Sequence, residues 1–275
     1  MTHLFFVLTL LLVAVYAGLS WCAFSRARQM NSRPRNRRHE HTLLGVILLV
    51  HACAVLAPVI GETAFSFSLG LGRAVAVLAW LMLFIYWACR FFYRVEGLQV
   101  FMMPLAMLTL AFSLVFPGSH KLYGFSNPAF VLHVLASMLA YCLFSLGALF
   151  AILMLGMDRA LHNKHRIPLV RQVPSLLELE QTMFHVLGIG FVLLTLSLLT
   201  GVVFSDHVFG KPAVLTHKTV FSVMAWVLFA ALLWGRQRYG WRGRVASRWT
   251  LIGFALLFLA YLGSKTVLEL ILRRL

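Results

Sequence analysis

The sequence predicts an all-α integral membrane protein: an eight-transmembrane-helix bundle with both termini periplasmic. Three observations predict it. Eight apolar runs of spanning length recur along the chain, and a bilayer core takes about 20 apolar residues as helix. Hydrophobic residues make up 61% of the chain and charged residues 12%, whereas a soluble domain needs more polar surface than that. Lys and Arg also gather in alternate loops. Segments 26–41, 90–97, 157–182 and 236–248 hold 17 of the 24, which marks those loops as cytoplasmic. The formal charge of +16 therefore reads as a positive-inside signature, not as a nucleic-acid-binding face.

The first run, Leu4 to Phe24, has no basic residue before it and six arginines after it, from Arg26 to Arg38. A cleaved signal has the opposite polarity, so this run is expected to be a retained helix with its N-terminus outside. Run two is Thr42 to Ile60, with His51 near its middle. The loop GETAFSFSLGLG leads to run three, Arg73 to Cys89, and RFFYRVEG turns into run four, Leu98 to Phe116. PGSHKLYGFSNP, rich in turn formers, precedes run five, Ala129 to Gly156. A polar segment broken by Pro168 and Pro174 follows. Within it, Ser175 and Glu178 fit a capping box that restarts a helix leading into run six, Met183 to Phe204. Runs seven and eight, 216–235 and 249–268, form a hairpin. Its loop RQRYGWRGRVASR carries five arginines and no acid. Residues 1–275 read as a single transmembrane domain with no internal repeat.

Polar groups at membrane depth are costly, so each intramembrane histidine is a candidate for function. His133 falls in the first turn or two of span five and His217 in the first turn of span seven, both entered from outside. At ~1.5 Å rise per residue they share a level. Two neutral imidazoles so placed can ligate a haem iron axially, and Lys121, Lys211 or Lys218 can meet the propionates. The same residues also fit interfacial anchors that open helices. His51, near the midplane, needs a partner or a cavity; it can be a ligand or can hydrogen-bond a neighbouring helix. His185 reads as interfacial, and His120 and His207 fall in outer loops. Zinc is disfavoured, because no Cys or acid stands beside these histidines at ligand spacing.

Cys22, Cys53, Cys89 and Cys142 form no CxxC or CxxCH motif and are expected to be small buried hydrophobes. The tryptophans lie mostly near span ends, as an aromatic belt does. Lys265 and Glu269 make an i, i+4 pair. No nucleophile–base pair, phosphate loop or paired carboxylates stand out, so catalysis has no support in the sequence.

HVLASMLAYCLFSLGALFAILML from His133, LGIGFVLLTLSLLTGVVF from Leu187, HKTVFSVMAW and GWRGRVASRWTLIGFALLFLAYLGSK carry a family resemblance. Over roughly residues 60–272 the chain resembles the cytochrome c assembly protein family, which groups CcsA, CcmC, CcmF and HemX. It is most similar to the eight-span YpjD-type inner-membrane branch. The resemblance implies haem binding or transfer at the outer face of the bacterial inner membrane, with other membrane proteins of cytochrome assembly as partners. His133 resembles the family's external histidine that opens a span, His217 the branch's own external histidine, and His51 its midmembrane histidine. The chain also departs from the family. SDHVFGKPAVLTHKTVF stands where the tryptophan-rich loop with its WxWDPKE core belongs, Trp234 replaces a membrane histidine, and VLELIL replaces the external histidine after the last span.

The expectation is therefore a non-catalytic haem-handling protein without full synthetase activity. It would hold haem b through His133 and His217, with His51 as inner ligand or relay. The rival reading is a haem-free transporter or membrane-protein assembly partner that kept the fold.

Overall fold

The structure, a computed structural model, describes residues 2–28, 37–57, 67–68, 70–92, 96–116, 121–122, 128–162, 174–203 and 217–260. Among them are eight α-helices, one on each predicted run. They are α1 Thr2–Arg28, α2 Arg37–Leu56, α3 Leu71–Phe92, α4 Gln99–Val115, α5 Pro128–His162, α6 Leu176–Val203, α7 His217–Tyr239 and α8 Gly243–Phe258. Six of these (α1, α2, α3, α5, α6 and α7) are long and apolar enough to cross a membrane by length and composition. The described parts of α4 and α8 are shorter, at 17 and 16 residues. The chain is a multi-pass helical membrane protein. Outside the helices, a two-residue antiparallel ladder pairs Phe67 with Leu122 and Ser68 with Lys121.

Pro168, His120, His207, Lys211, Lys265 and Glu269 lie outside the described residues, as do the side chains of Lys121 and His217. One expectation needs correcting. Of the four cysteines only Cys142 is buried, while Cys22 and Cys53 are exposed and Cys89 is intermediate. In a membrane protein an apolar run has a lipid-facing side as well as a core side, so apolar context does not imply burial in protein.

The helices fall into two compact units. The first comprises residues 1–122 with 166–174, and the second 123–165 with 175–275. In the first unit α1 packs on α2, α2 on α3, α3 on α4 and α4 back on α1, closing a four-helix ring. Its centre is aliphatic and aromatic: Met102, Met103, Leu110, Leu83 and Tyr16 are all under 2% exposed. Tryptophan N–H groups tie α3 to α2, Trp80 donating to the Leu48 carbonyl at 2.9 Å and Trp87 to that of His41 at 3.0 Å. Those carbonyls already serve the helix ladder, so each indole finds a partner without leaving another group unpaired.

The second unit repeats the neighbour order: α5 on α6, α6 on α7, α7 on α8 and α8 on α5. Its middle is dry. The Phe144 and Phe229 rings stack at 4.1 Å between α5 and α7. Small residues let the helices close on them; a Cβ on Gly253 would stand 2.7 Å from Phe229, and one on Gly147 2.7 Å from Leu187. Tyr141 on α5 donates its hydroxyl to the Leu257 carbonyl of α8.

The start of α6 follows the expected capping box. The Ser175 backbone N–H donates to Glu178 Oε2 at 2.9 Å, and the Glu178 N–H donates to Ser175 Oγ at 3.3 Å. Several helices extend beyond the predicted runs; α5 continues past Gly156 to His162, and α8 starts at Gly243, ahead of Trp249. These last two extensions belong to one polar cluster at the α7–α8 turn, described below.

Candidate functional site

His133 stands in the second turn of α5, half-buried against the C-terminal part of α6. Its Nδ1 lies 3.0 Å from the Ser197 carbonyl oxygen and 3.1 Å from Thr200 Oγ1. A carbonyl can only accept, so the network assigns the proton to Nδ1. Thr200 can accept from that same N–H because its own hydroxyl donates back to the Leu196 carbonyl at 2.8 Å. In the neutral imidazole Nε2 is then the unprotonated nitrogen. Histidines that ligate metals are held in this way, their second nitrogen donating to a carbonyl that fixes tautomer and ring orientation.

The seat is built from small residues. A Cβ on Gly201 would lie 3.2 Å from His133 Cε1, so the bare glycine lets the imidazole lie close along α6. Ser137, one turn below His133, donates to the His133 carbonyl at 2.7 Å and meets Ser197 Oγ at 2.6 Å. With the Ser137 proton engaged, Ser197 is the donor of that second bond. On the α7 side, Trp226 donates to Thr195 Oγ1 at 2.8 Å and stacks on Phe191. These hydroxyls make a polar seam in which each proton has an acceptor, the condition for polar groups to persist at membrane depth.

His217 is the first residue of α7. The Phe144–Phe229 stack sets its height relative to His133. Counting back from that contact, His133 is eleven residues away on α5 and His217 twelve on α7. The two helices run the same way, so at ~1.5 Å per residue the two α-carbons stand at a common level.

His51 lies in the first unit, on α2, with no exposed surface. The Tyr16 hydroxyl of α1 lies 3.0 Å from its Nδ1, the rings meeting edge to face at 5.5 Å. A phenol can donate or accept, so either tautomer satisfies this bond. Among the described residues Nε2 has no hydrogen-bond partner. An orphaned imidazole nitrogen inside an apolar ring is an unmet polar group, and it fits a ligand or a proton relay.

The opposite end of the second unit holds a cluster absent from the sequence reading. Glu180, on α6 and 7% exposed, accepts from Arg236 of α7. It also accepts from the Gly243 backbone N–H at the start of α8, at 3.0 Å, and lies 3.5 Å from Arg242 Nε. One carboxylate thus neutralises a guanidinium and caps a helix N-terminus, where the helix dipole favours negative charge. Asp158 of α5 pairs with Arg244 in the same way. The turn between α7 and α8 needs its glycines: Gly240 and Gly243 sit at φ of +64° and +55°, the left-handed region. Trp241 between them lies over Gly235, where a Cβ would come within 2.5 Å of the indole. The GWRG motif is therefore a turn with an indole lid.

Of the other candidates, His185 is exposed on α6 and Lys218 is exposed at the start of α7. Among the described residues no three His, Cys, Asp or Glu side chains come together. A caged ion needs such a group, whereas an iron already held by a porphyrin needs only axial ligands.

The family model described as Cytochrome C assembly protein matches residues 68–272. The inner membrane protein YpjD of Escherichia coli (strain K12) is 34% identical over 166 residues, 60% of this chain and 62% of that protein. The aligned part of this chain thus spans less than two thirds of that relative's length. Protein HemX of Brevibacillus brevis is 28% identical over 68% of this chain and 70% of its own. The cytochrome c biogenesis protein CcsA of Heterosigma akashiwo is 27% identical over 70% of this chain and 71% of its own. The chain belongs to the cytochrome c assembly protein family.

Proposed function

We propose that this member of the cytochrome c assembly family is an eight-span inner-membrane haem-handling protein. Residues 1–275 form one transmembrane domain with both termini periplasmic. It binds haem b between α5 and α7, with His133 and His217 as axial ligands and His51 as an inner ligand or relay. Its role is to hold or pass haem, in company with other membrane proteins of cytochrome assembly. Full synthetase activity is not part of the role, because the WxWDPKE core of the tryptophan-rich loop is absent from the sequence.

The observation that carries this reading is the His133 seat. Ser197 and Thr200 take the Nδ1 proton at 3.0 and 3.1 Å, leaving Nε2 as a neutral nitrogen donor whose direction is set before any ligand arrives. When bound, haem supplies an iron that accepts such nitrogens axially. The chain supplies the rest: orientation of the imidazole and, next to His217 at the start of α7, the exposed Lys218 that would serve as counter-charge to a propionate.

The test is an absorption spectrum of detergent-purified protein from haem-replete cells, oxidised and reduced, with haem quantified per chain. The reading expects near-stoichiometric low-spin haem, lost in His133→Ala and in His217→Ala. A colourless wild-type protein would overturn it and favour the haem-free transporter or assembly partner.

A further inference from the structure

At the end of the second unit opposite His133 lies a cavity of about 210 Å³. Met154 and Leu155 of α5, Leu176 and Leu177 of α6, and Gly243 and Ser247 of α8 line it. Its charged wall is already engaged internally: Asp158 is held by Arg244, and Glu180 by Arg236 and the Gly243 N–H. Ser247 Oγ faces Met154 Sδ at 3.9 Å. What remains for an occupant is mostly aliphatic carbon. A single water needs only ~10–15 Å³ and two or more polar partners, so this space is far larger than one water requires and offers little to hold it. Apolar cavities of ~150 Å³ take up small hydrocarbons.

The outer side of the same turn has the opposite character. Arg238 and Arg248 are exposed, and the Arg242 and Arg244 side chains are 66% and 55% exposed. Arg159, at the end of α5, is exposed as well. The two carboxylates of the cluster do not balance these guanidinium groups. An aliphatic slot beside a cluster of cations, at the end of a membrane-spanning helix bundle, matches the two halves of an anionic phospholipid.

We propose that the α7–α8 turn is a seat for one anionic phospholipid. Its phosphate lies against Arg242 and Arg248, and the first part of an acyl chain enters the cavity beside Leu177. Basic groups near the membrane surface attract anionic headgroups; the cavity adds a defined position and a stoichiometry of one. The seat is independent of His133 and of haem.

The experiment uses the full-length protein in detergent, titrated with phosphatidylglycerol or with phosphatidylcholine of the same acyl chains, and read by native mass spectrometry. The expected result is one phosphatidylglycerol retained per chain, at least five-fold more than phosphatidylcholine at equal concentration. Arg242→Glu with Arg248→Glu should reduce retention five-fold or more. Leu177→Trp, which enlarges an exposed side chain lining the slot and leaves every arginine in place, should lower it to a similar extent. Circular dichroism checks that each variant keeps its helices. Equal retention of the two lipids overturns the seat. Loss in the arginine variant with none in Leu177→Trp also overturns it, since that pattern is surface attraction without a cavity. Retention of a co-purifying peptide in place of lipid would assign the slot to a protein partner and contradict the proposal.

Discussion

The two four-helix rings share a neighbour order but keep their polar groups in different places. The first encloses an imidazole–phenol pair at mid-helix, His51 with Tyr16, neither with exposed surface, and gathers Arg26 and Arg90 around Glu40 at one end. The second leaves its middle to stacked Phe144 and Phe229 and puts polar groups at both ends, the His133 seam at one and the Glu180 cluster at the other. The partner chemistry differs too. His51 meets a hydroxyl that can donate or accept, so its tautomer is free to change. His133 meets a carbonyl that can only accept, so its tautomer is set. In the proposed function, a histidine near a helix end with a fixed lone pair is the one that receives a ligand. In the same proposal, the one sealed inside the ring serves as inner ligand or relay.

That contrast can be broken by mutation, and the largest effect is expected at the buried ion pair. Glu180→Ala leaves Arg236 without its carboxylate and the start of α8 without its cap. Removing one partner of a buried pair typically costs ~3–5 kcal/mol. Thermal unfolding in detergent should show a large loss of stability, with Glu180→Gln between the wild type and Ala. If Glu180→Ala unfolds like the wild type, the cluster is not what holds the hairpin to α6.

A smaller effect is expected in the first ring. Tyr16→Phe strips the hydrogen bond from a fully enclosed His51 and should cost about 1–3 kcal/mol, the usual penalty for an unsatisfied buried group. Adding His51→Phe removes the orphan as well and should recover much of that loss, since replacing both partners by apolar groups is often nearly neutral. No recovery in the double variant would mean that His51 is held by more than Tyr16.

The smallest effect is expected at the rim of the His133 seat. Thr200→Val removes one of two acceptors for Nδ1–H and keeps the Ser197 carbonyl, so about 0.5–1.5 kcal/mol is at stake. Its sharper readout is the haem spectrum. A weakened second acceptor should lower haem occupancy or shift the reduction potential, while Thr200→Ser should stay near the wild type.

The helices were legible in the sequence because membrane spans are set by length and apolarity, and each predicted run carries one helix. Helix ends set by long-range contacts are less legible. Glu180 in LLELEQ reads as a solvated acid, and nothing local says that it reaches across to Arg236 and Gly243, so the early start of α8 is invisible without the fold. Ser175 and Glu178 act within one turn, so their capping box is legible from the sequence alone. The same distinction applies at the candidate site. His133 stands out as a polar residue in an apolar run, whereas Ser197 and Thr200 look like filler in LLTLSLLTGVV. Their role comes from a contact more than sixty residues away in sequence. Tyr16 is hidden for the same reason, as one aromatic among many in its run.

The most direct test of the central claim is the reduced-minus-oxidised spectrum of His133→Ala beside the wild type, purified from haem-replete cells with helicity matched. The account predicts near-stoichiometric low-spin haem in the wild type and its loss in the variant. An unchanged spectrum in His133→Ala, or a wild-type protein with no haem at all, would contradict it.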